Sequence, residues 1–139
     1  MGVIKTFIDT NILIYAFSKN DPAKKEIAVD CIKNCIPVIS TQVIKEFSSV
    51  SNKSNVELPD LRFIIKDLIS LTEIVDEDLG LIFAAFDICE RYQFSFYDSL
   101  IIAAALKSEC KVLLSEDMQD GQIINESLKI VNPVKGAIT

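Results

Sequence analysis

The chain contains no histidine. Any site that binds a metal or moves a proton must therefore use other groups, and mixed Cys/His zinc sets are excluded. Cysteine is sparse as well: Cys31, Cys35, Cys89 and Cys110 are the only four. Cys31 and Cys35 stand four apart on a predicted helix, a spacing that could support metal binding, but no CxxC accompanies them. Packed, reduced thiols are the better reading, and they fit a cytoplasmic protein. Long apolar runs are missing too. Half of the 139 residues are hydrophobic, yet the longest unbroken run is Leu100 to Leu106, far short of the about 20 residues that cross a bilayer. A soluble chain with no membrane partner is expected. The only hydrophobic stretch near the start contains Asp9 and no small-residue cleavage site, so no secretory leader is expected. Met1-Gly2 with Thr6 matches a myristoylation pattern only loosely, since Gly2 leads straight into a predicted strand. Positive charge is scarce: 14 basic residues face 20 acidic ones, for a net charge of −6. That balance argues against gripping a polyanion through the summed field. Such a partner would need a local positive charge, which a bound divalent cation could supply.

What is present alternates between short apolar strands and amphipathic helices, over a length that suits a single domain spanning residues 1–139. Val3 to Ile8 is β-branched and aromatic-rich, as in a strand covered on both faces. Thr10 is expected to cap a helix through Ile12, Leu13 and Phe17. Asp21 and Pro22 open a second helix, with a stripe of Ala23, Ile27, Cys31, Ile32 and Cys35. Pro37 to Ser40 reads as a strand and Thr41 as the cap of a third helix, whose end is expected to fray from Ser48 into a mobile loop at Asn55. Leu58 to Leu71 returns to helical period, and Glu73 to Val75 is a short strand. Asp76 is expected to open a helix with the stripe Leu79, Ile82, Phe83, Phe86 and Cys89. The helix from Phe96 to Leu106 is apolar all round beyond its first turn and must be central. Lys111 to Leu114 is a strand, Gly121 to Leu128 a loop or short helix, and Lys129 to Val131 a last strand. This alternation predicts an α/β fold, a three-layer α/β/α sandwich with a mostly parallel central sheet.

Four acids stand where a chance surface charge is not expected. Asp9 follows the first strand, at the sheet edge where such folds place ligands. Asp98 begins the most apolar helix, and Asp117 follows the strand ending at Leu114. Glu46 falls on the stripe of Val43, Phe47 and Val50, which should face the core. Each has a bland explanation: a helix dipole partner for Asp98, turn formation for Asp9 and Asp117, a lysine pair for Glu46. Together they would converge on one edge, where crowded carboxylates raise one another's pKa unless a cation intervenes. All-oxygen donors favour Mg²⁺ or Mn²⁺, and such ions on carboxylates support phosphodiester hydrolysis. Lys19, Lys45 and Lys53 are the nearest candidates for phosphate contacts, and Phe96 and Tyr97 could stack on a base.

The blocks Phe7-Ile8-Asp9-Thr10-Asn11, Val43-Ile44-Lys45-Glu46-Phe47, Tyr97-Asp98-Ser99-Leu100-Ile101 and Leu113-Leu114-Ser115-Glu116-Asp117 resemble, in order and spacing, those of the PIN domain family, and most of all its VapC-type ribonuclease toxins. The resemblance covers nearly the whole chain. It implies a Mg²⁺- or Mn²⁺-dependent endoribonuclease, a phosphodiester hydrolase, with Asp9, Glu46, Asp98 and Asp117 as metal-binding, catalytic acids. It further implies support from Asn11, which can orient Asp9, and from Ser115, with Glu116 or Asp120 able to share the work of Asp117. A homodimer, an RNA substrate and a small antitoxin protein are implied as partners. The alternative is a PIN-like module that binds or dimerises without cutting. Two other phosphate chemistries fit less well. A haloacid-dehalogenase-type phosphatase needs a second aspartate where Asn11 stands, and a receiver domain needs an acidic pair on strand one and a lysine where Ser115 stands.

Overall fold

The computed structural model describes residues 3–136. Strand β1 (Lys5–Ile8) runs without a loop into α1 (Thr10–Phe17), and α2 (Pro22–Lys33) follows. Strand β2 (Ile36–Ser40) enters α3 (Thr41–Lys53) in the same way, followed by α4 (Leu58–Leu71) and β3 (Glu73–Val75). Then come α5 (Leu79–Tyr92), α6 (Phe96–Lys107), β4 (Val112–Leu114), β5 (Ile123–Ile124) and β6 (Leu128–Val131).

Among the described residues six strands form one sheet, in the order β3-β2-β1-β4-β6-β5. Every pairing is parallel except that of β5 with β6. Consecutive residues Phe7 and Ile8 are both buried, as are Val38 with Ile39 and Leu113 with Leu114. Strands buried on successive residues are covered on both faces. Helices α1 to α4 pack on one another, and α5 pairs with α6. The α/β architecture with a mostly parallel sheet between helices is as the sequence predicts.

Chain direction fixes where a ligand belongs. From β1 the chain steps to β2 and then β3 on one side, and the crossover through α5 and α6 returns it to β4 on the other side of β1. The strand order therefore reverses between β1 and β4, and the crevice beyond their carboxyl ends is the topological switch point. Asp9 and Ser115 are the first residues past those two ends.

Several local expectations are corrected. The caps of α1 and α3 lie one residue earlier than predicted. Asp9 (ψ 160°) and Ser40 (ψ 168°) keep extended backbone, and their side chains accept from Thr10 N and Val43 N. With no connecting loop, the last extended residue has to cap the helix. Helix α3 continues to Lys53 rather than fraying at Ser48. Its end is tied off by Val56, whose N–H reaches Ser51 O at 3.0 Å and whose carbonyl accepts from Asn52 Nδ2 at 3.2 Å. Asp78, not Asp76, caps α5, its Oδ1 accepting from Leu81 N at 2.8 Å. The buried stripe of α5 is accordingly Leu81, Ala85 and Ile88, while Leu79, Phe83 and Phe86 are 73%, 64% and 47% exposed. The segment expected as loop or short helix holds β5, joined to β6 through Asn125 (φ 50°) and Glu126 (φ 59°). Two successive left-handed residues make a hairpin turn without the usual glycine.

Asp21 capping α2 with Pro22 beside it, and α4 over Leu58–Leu71, match the sequence reading. So does α6, where every residue from Ser99 to Ala105 is buried. All four cysteines are free thiols. Burial raises the pKa of Cys31 and Cys35 and pushes Cys110 up to about 12, which keeps them protonated and inert. Among the described residues, no helix is long and apolar enough to cross a membrane. Gly2, with the myristoylation pattern that begins there, lies outside the described residues.

Candidate active site

Asp9 is placed by both of its neighbours in the fold. As the cap of α1 it accepts from Thr10 N through Oδ1 at 2.8 Å, and Ser115 Oγ donates to its Oδ2 at 2.9 Å. Its carboxyl is pushed up to about 6. Burial is the largest cause, the nearby charges of Glu46 and Asp98 add to it, and the two hydrogen bonds oppose it. Asp9, at the junction of β1 and α1, thus feels the charges of Glu46 from α3 and Asp98 from α6 across the switch point.

Glu46 corrects the prediction in one respect. It is exposed rather than core-facing, because Gln42, Val43 and Phe47 carry the buried side of α3. Its head is nevertheless turned to the site, since Thr10 Oγ1 donates to Glu46 Oε1 at 2.9 Å. Thr10, displaced from the cap by Asp9, is free to make this bridge. Asp98 is half-buried in the first turn of α6, its backbone N–H donating to the Ser95 cap at 3.2 Å. No hydrogen bond to its carboxylate is found among the described residues. Asp117 is exposed and accepts from Asn11 Nδ2 at 2.9 Å. Asn11, expected to orient Asp9, donates to Asp117 instead.

The two acids that were to share the work of Asp117 face elsewhere. Glu116 accepts from Tyr15 Oη at 2.6 Å and from Lys24 Nζ at 3.2 Å. Asp120 accepts from Asn132 N at 2.8 Å and pairs with Lys135 at 3.7 Å. Of the three lysines singled out, Lys19 and Lys53 are exposed, and Lys45 pairs with Glu77 at 3.5 Å. Tyr97 is exposed, while Phe96 is half-buried against Phe86 with ring centroids 5.4 Å apart.

Five ion pairs occur among the described residues, and none includes Asp9, Glu46, Asp98 or Asp117. The flanking acids Glu77, Glu116 and Asp120 are neutralised by lysines, and the four central ones are not. The expectation of one tight cluster is corrected in degree: among the described residues no three acids are gathered closely enough to enclose an ion. Asp117 is held by Asn11 and shares no hydrogen-bond partner with the other three among the described residues. The donors present are all oxygens, the set that suits a hard divalent ion. The residues fit such an ion in chemistry and need side-chain closure to enclose it.

Carboxylates from three separate elements thus stand at the switch point of an α/β domain, with no ion-pair partner among the described residues. The PIN domain model matches residues 6–119, and the chain belongs to the PIN domain family. Solved structures agree on the fold. A toxin–antitoxin complex from Klebsiella pneumoniae is similar at 20% identity and TM-score 0.70, over 92% of this chain and 97% of that one. VapBC2 from Rickettsia felis, bound to a DNA fragment from its promoter, is similar at 21% identity and TM-score 0.65, over 93% and 100%. VapC20 from Mycobacterium tuberculosis, described as a sarcin-ricin loop cleaving toxin, is similar at 17% identity and TM-score 0.64, over 81% and 91%. No curated protein sequence matches the chain.

The sequence reading did not single out the bridging role of Thr10, or Tyr15 and Lys24. The signal for Thr10 was its place directly after Asp9. Tyr15 and Lys24 read as ordinary helix residues, because their partner, Glu116, is about a hundred residues away.

Proposed function

We propose that this protein is a divalent-metal-dependent endoribonuclease, the toxin of a toxin–antitoxin pair acting in the cytoplasm. The observation that carries this is Asp9 fixed by Ser115 and Thr10 at the switch point, near Glu46 and Asp98, in a set of acids with no lysine or arginine partner among the described residues. PIN nucleases generally use divalent ions, and one similar structure is described as a cleaving toxin. Asp9, Glu46 and Asp98 would hold a Mg²⁺ or Mn²⁺ ion, with Asp117 assisting a second ion or the attacking water. Held there, such an ion would supply activation of a water for phosphodiester hydrolysis and charge stabilisation of the leaving oxygen. The chain's own part is positional: Ser115 and the α1 cap aim Asp9, Thr10 turns Glu46 inward, and Asn11 steadies Asp117.

Two apolar surfaces suit the partners. A groove of about 470 Å³, lined by Leu13, Phe17, Ile32, Leu68 and Leu71, fits an apolar segment of a small antitoxin, since the similar structures include toxin–antitoxin complexes. The exposed Leu79, Phe83 and Phe86 of α5 suit a second copy in a homodimer.

The dispersal of the acids and the exposure of Glu46 favour one other reading, a PIN-like binding or dimerisation module that does not cut. Cleavage-site mapping on total RNA with Mn²⁺, against a matched Asp9→Asn control, separates the two. Metal-dependent cuts lost in the control support the nuclease, and identical maps leave the binding module.

A further inference from the structure

We propose that Tyr15 and Lys24 are positioning residues for this site, acting through Glu116; the proposal rests on the metal-dependent reading above. Glu116 lies between two residues that reach the site. On one side Ser115 donates to Asp9, and on the other Asp117 accepts from Asn11. Whatever fixes Glu116 therefore fixes the short loop that delivers both.

The fixing is thorough. Tyr15 Oη from α1 takes one carboxylate oxygen at 2.6 Å, and Lys24 Nζ from α2 takes the other at 3.2 Å. Lys24 also reaches Tyr15 Oη at 3.4 Å and stands 4.8 Å from the centre of its ring. The Glu116 carbonyl accepts from Asn132 Nδ2 at 3.4 Å, past the end of β6. The Lys24 and Glu116 side chains are only 20% and 25% exposed. Lys24 cancels the charge of Glu116, so this acid does not compete with Asp117 for a cation. The hydroxyl of Tyr15 sets how far the loop stands from α1, which carries Asn11 at its start.

The contribution to global stability is small, because an ion pair that keeps contact with water adds little to folding. The contribution to metal affinity is larger, because groups that orient a ligand without touching the ion change its affinity by about tenfold or more. That asymmetry is the test. Mn²⁺ is titrated calorimetrically into the metal-free full chain, for wild type, Tyr15→Phe, Lys24→Met and Lys24→Arg, with metal-free melting temperatures alongside. Tyr15→Phe and Lys24→Met are expected to weaken Mn²⁺ binding about tenfold while lowering the metal-free Tm by less than about 5 °C. Lys24→Arg is expected to keep wild-type affinity. Wild-type affinity in both disrupting variants, or a Tm loss with affinity unchanged, overturns the positioning role. A wild-type chain that takes up no Mn²⁺ overturns the metal-dependent reading itself, and the two failures are distinguishable.

Discussion

Ser115 and Asp9 are 106 residues apart in the chain, and Ser115 Oγ lies 2.9 Å from Asp9 Oδ2. This bond crosses the switch point between β1 and β4, and its donor is fully buried. Ser115→Ala leaves a half-buried carboxylate oxygen short of a donor, which costs about 1 kcal/mol and removes one of the groups holding the Asp9 pKa down. Thermal unfolding should show the destabilisation, and the pH at which Mn²⁺ binding reaches half its maximum should rise. An unchanged pH midpoint would contradict this account of Asp9.

The raised pKa of Asp9 makes a prediction about pH. Its folded value of about 6 lies above its ordinary value of 3.8. The fold is therefore favoured at low pH, and that advantage is lost as pH rises through about 4 to about 6, at a cost on the order of 3 kcal/mol. Asn at this position still caps α1 but cannot ionise. Asp9→Asn should raise the metal-free melting temperature at pH 7.5 and change it little at pH 4. Equal shifts at both values would remove the ionisation argument.

A ligand bound only by the folded state stabilises it, by about 2.7 kcal/mol at a hundred times its dissociation constant. Millimolar Mg²⁺ or Mn²⁺ should accordingly raise the melting temperature of the wild-type chain. Asp98→Asn should abolish both this gain and RNA cleavage while leaving the far-UV spectrum unchanged. Cleavage at the wild-type rate would take Asp98 out of the site.

Thr10→Val keeps the shape of the side chain and deletes the hydroxyl that holds Glu46. The stability cost should be about 1 kcal/mol, whereas metal-dependent cleavage should fall about tenfold. A loss of stability alone, with kcat/KM preserved, would make Thr10 a packing residue.

Phe83 is exposed, so Phe83→Glu should not disturb folding. If the α5 face joins two copies, sedimentation should show a dimer for the wild type and a monomer for this variant. A wild-type monomer would refute the pairing.

The fold was largely legible because its signals are local. Asp21-Pro22, the helical period of Leu58 to Leu71 and the unbroken apolar helix from Leu100 each describe their own segment. The errors fell where neighbours in space decide. Nothing local separates Leu79, Phe83 and Phe86 from Leu81, Ala85 and Ile88 as the buried side of α5, and only packing against α6 chooses. The β5–β6 turn was missed because Asn125-Glu126 lacks the glycine that usually marks it.

By itself the sequence determined the chemistry that is possible: carboxylates without histidine, on an alternating α/β frame that sends strand ends to one edge. Tertiary structure decided which acids remain uncommitted. Glu116 and Asp120 acquire lysine and amide partners from distant segments, Thr10 turns an exposed Glu46 toward Asp9, and Asn11 passes to Asp117. The reason is physical: hydrogen-bond and charge partners are set by distance in space, and the chain reveals that distance only once the sheet has brought β1 beside β4.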